Sequence, residues 1–344
     1  MKVRFGIGMG RAESLNEIGL HAKAAEDNGF ELASVVDEPF LARDAFTMLA
    51  VMAMHTKKIL LGHGVVDPLT YFPTVLGNGA ASLQELSGGR GFLGLGAGAP
   101  AGKFMEPLSF NQFREAVVFL KQFMSGEEAE FRGQKMHSEW IKGPVPIYLG
   151  ADGPRALELA GELADGVITM GGPPKLIKWK MDYVERAALK AGRDPSKIDV
   201  WVRSIVIVAD SKEAAFREGA AFMPGSGAIY RYVKYKQRGY REDIDLILTE
   251  LDKDQPGIIE DVMKNWELFE HYQFEKLDNP SSKVVTPRVM DFFNQTGTVD
   301  DVCEGIEKLA EAGVKCLATA NYTIIDKLGM INRIGQEIIP RFQD

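Results

Sequence analysis

Short apolar β-type segments alternate with helical segments almost from one end of this chain to the other. That alternation constrains the fold more than any other feature. The strand-like segments cover residues 3–8, 32–36, 59–64, 91–95, 145–149, 166–170, 198–208 and 315–320. Helical spacing marks residues 15–28, 44–55, 73–86, 110–124, 154–164, 174–191, 212–222, 299–312 and 327–342. Asn28-Gly29 and Gly192 punctuate helix ends, and Pro154 stands where a first helical turn tolerates it. Eight strands, each followed by a helix, predict one α/β domain over residues 1–344, a (β/α)8 TIM barrel. A doubly wound sheet is the structural alternative, although no linker or composition shift divides the chain. Two excursions interrupt the rhythm. One covers residues 127–142, and the larger, residues 223–296, is polar, aromatic and helix-leaning, lacks a clear strand, and precedes the last βα unit.

Composition enters mainly by exclusion. With 45% hydrophobic and 26% charged residues the chain is ordinarily globular, and a formal net charge of -8 argues against a nucleic-acid partner. No apolar run approaches the roughly 20 residues of a membrane-spanning helix, so no membrane partner is expected. The N-terminus enters a strand at once, without the layout of a signal peptide. The two cysteines, Cys303 and Cys316, lack a Cys-x-x-Cys partner, and the five histidines show no zinc spacing. These features predict reduced buried thiols, a cytoplasmic protein and no metal site.

In a barrel, the residues just after each strand share one mouth, where active sites lie. The third strand runs into Leu61-Gly62-His63-Gly64-Val65-Val66-Asp67-Pro68, a glycine-punctuated bend suited to a bulge or to close approach of a flat ligand. After the second strand come Asp37 and Glu38, then a proline. This pair is either an acid/base or ligand-orienting pair, or one of the two caps the next helix or bonds loop amides. After the fourth strand, Gly94-Leu95-Gly96-Ala97-Gly98 sits too late in the chain for a dinucleotide fingerprint, and Lys103 is not followed by Ser or Thr as a phosphate loop would require. A narrow strand that lets backbone approach a planar ligand is the expectation there. After the fifth strand, Gly150-Ala151-Asp152-Gly153 leads into a helix N-terminus, a candidate phosphate site. The tight turn at Asp165-Gly166-Val167 is expected to contribute to it, and ordinary turn chemistry is the alternative for both. Within the insertion, residues 230–241 carry a basic, aromatic run. It reads either as a clamp for an anionic ligand or, preferably, as an amphipathic helix packed on the barrel rim.

Taken in order, these segments resemble the bacterial-luciferase-like superfamily, and within it the coenzyme F420-dependent, methylenetetrahydromethanopterin reductase-like branch. The landmarks are Ala25-Glu26-Asp27-Asn28-Gly29-Phe30, Asp37, the segment from Leu61 to Pro68, Leu86-Ser87-Gly88-Gly89-Arg90 with Leu93-Gly94-Leu95-Gly96, Pro146-Ile147-Tyr148-Leu149-Gly150-Ala151, Ala164-Asp165-Gly166-Val167-Ile168, and Ile338-Ile339-Pro340. The resemblance implies a cis peptide at Gly64–Val65 forming a bulge behind the deazaflavin ring. It places Val66, Asp67 and Ala97 in the ring-binding surround, and Asp37 near the ring's polar edge. Gly150 to Gly153, with Gly166 and Val167, would hold the cofactor phosphate. Glu38 stands where the family frequently has His, Gly6-Ile7-Gly8-Met9 replaces a strand-1 glutamate of the pterin reductases, and the 223–296 insertion looks unlike theirs; together these departures argue against a pterin substrate.

The resulting expectation is an oxidoreductase passing a hydride between coenzyme F420 and a small organic substrate, with Asp37 or Glu38 polarising or protonating the acceptor and the protein forming a homodimer or higher homo-oligomer. The alternative is an FMN-dependent monooxygenase using O2 and reduced flavin. A third expectation is a binding protein that has lost its chemistry.

Overall fold

A computed structural model describes residues 2–11, 13–38, 42–97, 106, 108–219, 226–237, 242–267, 286–320 and 326–343. In chain order, β1 (Arg4–Met9), α1 (Leu15–Asp27), β2 (Leu32–Val35), α2 (Ala45–His55), β3 (Leu60–His63), α3 (Pro73–Leu86), β4 (Gly91–Leu95) and α4 (Phe110–Phe123) form the first half. A hairpin, β5 (Ala129–Phe131) with β6 (Gln134–Met136), fills the first excursion. Then come β7 (Ile147–Gly150), α5 (Pro154–Leu163), β8 (Gly166–Met170), α6 (Pro174–Lys190) and β9 (Asp199–Arg203). β10 (Val206–Val208) and α7 (Lys212–Gly219) precede the second excursion, which runs through α8 (Ser226–Gln237), α9 (Glu242–Asp254), α10 (Ile258–Glu267), α11 (Pro287–Phe293) and β11 (Gln295–Gly297). The chain closes with α12 (Val299–Glu311), β12 (Cys316–Ala320) and α13 (Lys327–Arg333).

Eight strands close a barrel in the order β1-β12-β9-β8-β7-β4-β3-β2, every pairing parallel. This is the predicted (β/α)8 barrel, built from the eight predicted strands. Residues alternate between two environments, as the pleat requires. Leu32, Phe92, Tyr148, Ile168, Trp201 and Ala318 fill the interior. Leu93, Leu95, Ile147 and Leu149 pack outward against α3, α4 and α5.

Two expectations change. The β-branched run 198–208 is not one strand. It leaves the barrel after Arg203, and β10 pairs with β11, a strand not expected within the insertion. Extended propensity specifies backbone shape but not partner. Here the switch is made by side chains: Ser204 Oγ donates to the Phe293 carbonyl at 2.8 Å, and Val206 N donates to Thr319 Oγ1 at 2.9 Å. The C-terminal helix also divides, into α13, a π turn over Ile334–Ile338 and a 3-10 turn over Ile339–Phe342. Pro340 has no N–H to continue an α-helix. Both cysteines are buried and unpaired with each other. No helix among the described residues is long and apolar enough to cross a membrane.

Candidate active site

The bulge after β3 is the wall of the barrel mouth. The Gly64–Val65 peptide is cis, in agreement with the resemblance. Gly64 N donates to the Val35 carbonyl at 2.8 Å, Val66 N to the Gly94 carbonyl at 2.9 Å, and Gly96 N to the Val66 carbonyl at 2.8 Å. From across the mouth, Arg203 Nη1 donates to the Gly64 carbonyl at 2.6 Å. Val65 packs against the interior cluster, whereas Val66 packs outward among helix-facing residues. Only the backbone of Val66 therefore belongs to the mouth.

The glycines of β4 have a purpose other than the one expected. A Cβ at Gly94 would fall within the His63 carbonyl, and one at Gly96 would lie 2.5 Å from Val65 Cγ2. Gly150, on β7, faces Val65 in the same way, with a hypothetical Cβ at 3.1 Å from Cγ1. These residues make room for the bulge itself, and the bulge then meets whatever enters the mouth. Ala97 is exposed at the end of this strand, and the following Gly98 to Pro100 and Lys103 lie outside the described residues.

Asp37 and Glu38 follow β2 and behave differently. Asp37 is 7% exposed. Its Oδ1 accepts from the Tyr71 hydroxyl at 3.3 Å, while Oδ2 is buried with no hydrogen-bond partner among the described residues. Burial, reinforced by Asp67, Asp44 and Glu38 and opposed by the Tyr71 bond, pushes the carboxyl from its ordinary 3.8 up to about 6. Glu38 is held by Arg11, Nη2 to Oε2 at 2.5 Å. That pairing engages its carboxylate with a side chain from the loop after β1. Asp67 has the loop role: its Oδ1 accepts from Leu69 N and Thr70 N, both at 2.9 Å, closing the turn around Pro68.

The proposed phosphate site is partly rearranged. α5 and α6 begin beside each other at the mouth with Gly153 and Pro173 at their N-caps and no side-chain cap, as does α3. In contrast, α1, α2, α4 and α12 are capped by Ser14, Asp44, Ser109 and Thr298. Among the described residues no acceptor is assigned to the N–H groups of Asp152 and Gly153, so they remain for an anion. The Ala151 amide does not, since it donates to the Ile168 carbonyl at 3.0 Å. The Asp152 carboxylate is an anchor. It pairs with the fully buried Lys180 at 2.8 Å and accepts from Met170 N at 2.9 Å and Thr169 Oγ1 at 3.1 Å. Although burial opposes ionisation, Lys180 and Arg231 hold this carboxyl below its ordinary range.

Gly166 and Val167 do not belong to the site. Their turn connects a helix to a strand, so it lies at the N-terminal rim, where Gly166 pairs with Tyr148 and Asp199. Gly166 opens β8, which reaches the mouth at Met170, about 13 Å of extended chain away. Val167 is fully buried in the shell between strands and helices. The mouth end of that strand is Met170-Gly171-Gly172, where Gly171 N donates to the Arg203 carbonyl at 2.6 Å. The basic run of the insertion is a packed helix over its described part. Tyr232 is buried and its hydroxyl donates to the Asp152 carbonyl, Arg231 reaches Asp152 at 3.4 Å, and Lys234 lies over the Tyr230 ring. Residues 238–241 lie outside the described residues.

Reading the strand ends missed Tyr71 and Arg203. A cation inside the β-branched run 198–208 was the available signal for Arg203, because such a residue is rarely buried without a task. Tyr71 carries no comparable signal.

The model of the luciferase-like monooxygenase family matches residues 2–316. The 5,10-methylenetetrahydromethanopterin reductase of Archaeoglobus fulgidus is 29% identical, over 99% of this chain and 100% of that protein. The reductase of the same name from Methanolobus tindarius is 32% identical, over 97% of this chain and 99% of that protein. Among solved structures, the coenzyme F420 dependent tetrahydromethanopterin reductase from Methanopyrus kandleri superposes with a TM-score of 0.77 at 25% identity, covering 99% of this chain and 100% of that one. These matches span the second excursion as well as the barrel.

Proposed function

The chain belongs to the luciferase-like monooxygenase family, and from that premise we propose that it is a coenzyme F420-dependent oxidoreductase of the methylenetetrahydromethanopterin reductase type. Coenzyme F420, when bound, supplies or accepts a hydride at its deazaflavin ring. The residues present fit such a group. The Gly64–Val65 bulge offers a flat wall made of backbone and one branched side chain. The amides of Asp152 and Gly153, aided by the adjoining N-termini of α5 and α6, suit its phosphate. Asp37 holds the exchangeable proton.

The observation that carries this chemistry is the buried, unpartnered Oδ2 of Asp37 at the mouth. A carboxyl pushed up to about 6 keeps a useful protonated fraction near neutrality, about a tenth at pH 7. It can therefore donate a proton, or a hydrogen bond, to an acceptor that is being reduced. Arg11 and Glu38 remain paired beside it and keep a fixed charge pattern at the rim. The substrate class to test first is a one-carbon unit carried by a reduced pterin, because the pterin reductases match along their whole length.

The FMN-dependent monooxygenase alternative shares the barrel. Anaerobic oxidation of reduced coenzyme F420 by a methylene-pterin, followed by absorbance, supports the proposal. Oxygen uptake with reduced FMN, and no anaerobic turnover with the deazaflavin, would overturn it. We place the enzyme in the cytoplasm as a homodimer acting on a small molecule, and light scattering checks the assembly.

A further inference from the structure

The two carboxyl oxygens of Asp37 sit in unlike surroundings: Oδ1 faces the Tyr71 hydroxyl at 3.3 Å, and Oδ2 is buried without a partner. Tyr71 comes from the loop before α3, so the sequence does not bring it to Asp37; packing does. Its ring stands edge-on to Phe46 with centroids 6.3 Å apart, and Phe46 stands edge-on to the fully buried His63 at 4.6 Å. Phe46 fits because α3 has glycine at position 79, where a Cβ would lie 2.5 Å from Phe46 Cε1. Gly79, Phe46 and Tyr71 thus stand one behind another, with the tyrosine hydroxyl at the open end of the stack.

We propose that Tyr71 is a positioning residue that assigns the proton of Asp37 to Oδ2. This rests on the proposed reaction only in taking Oδ2 to be the atom that meets the reacting groups. The Tyr71 O–H donates to Oδ1. A carboxyl proton placed on Oδ1 would oppose that O–H, so the proton goes to Oδ2. In the ionised form the same bond favours the carboxylate. Tyr71 itself stays protonated across the physiological range, because burial and then Asp37 raise its ionisation. Asp67, Asp44 and Glu38 favour proton retention at Asp37, and Tyr71 works against it. A contact of 3.3 Å is long for O–H···O, as catalytic hydrogen bonds often are before a ligand closes the site.

The test is a carboxyl-13C NMR titration of aspartate-labelled protein without cofactor, with Asp37→Asn identifying the resonance. Tyr71→Phe is expected to move the Asp37 midpoint upward from about 6 by about one pH unit, the scale of one hydrogen bond to a charged group. Phe46→Leu, which removes the ring steadying Tyr71, is expected to move it in the same direction by less. The limb of kcat/KM governed by Asp37 should move with it. An unchanged or lowered midpoint in folded Tyr71→Phe would overturn the assignment. Failure of the wild type to bind coenzyme F420 would instead overturn the proposed reaction and leave this titration standing.

Discussion

At Asp37, burial and three neighbouring acids outweigh a single tyrosine hydrogen bond. The consequence for stability has a definite sign. The folded protein binds this proton more tightly than the unfolded chain, so the stabilisation present at low pH is lost as pH rises from 3.8 through about 6. Asp37→Asn should therefore stabilise the fold by up to about 3 kcal/mol at pH 7 and by only about half a kcal/mol at pH 4. Urea unfolding at the two pH values checks this. The same variant should lower kcat by about 10²–10⁴-fold, the usual worth of a positioned acid. Glu38→Gln should lower kcat far less than Asp37→Asn, because Arg11 already engages that side chain; a comparable loss of kcat would restore Glu38 as a catalytic candidate. The acidic pair was legible in the sequence because both members directly follow a strand. Their division of labour was not, since Arg11 and Tyr71 reach them from other loops.

The elements around the mouth show how a correct local signal can carry the wrong purpose. The glycines of β4 were legible as a narrow strand, yet the space they free is taken by the His63 carbonyl and Val65. Gly94→Ala should consequently disrupt the β3–β4 junction, with overpacking of about 1–3 kcal/mol or more and loss of cofactor binding, read by thermal unfolding and fluorescence titration. A wild-type melting point would contradict that account. The turn at Gly166 was legible as a turn, but a turn from helix to strand lies at the far rim of a barrel. Lys180 was legible in position but not in partner: it lies on the apolar face of α6, in register with Leu176, Ile177, Tyr183 and Val184, and only packing shows that Asp152 receives it. Lys180→Met leaves the buried Asp152 carboxylate with only the more distant Arg231 and should cost about 3–5 kcal/mol, most of it recovered in the double variant with Asp152→Asn. Additive losses in that cycle would show that the pair is not coupled.

For the whole molecule, the alternation of period-2 and helical segments was enough to predict the barrel, because eight parallel strands with helical crossovers close in few ways. The path of the second excursion was not predictable in the same way: α8 to α11 form a separate apolar cluster with Leu176, and β11 pairs with β10 outside the barrel. Cofactor choice also belongs to this scale, since under the proposed function the bulge, the starts of α5 and α6, and Asp37 would have to act together on one bound molecule. The most direct measurement is an equilibrium fluorescence titration of the purified protein with coenzyme F420, repeated in the presence of FMN. Saturable binding of coenzyme F420 that an equal concentration of FMN fails to displace is the predicted result. Tight binding of FMN with no binding of coenzyme F420 would contradict the proposed function.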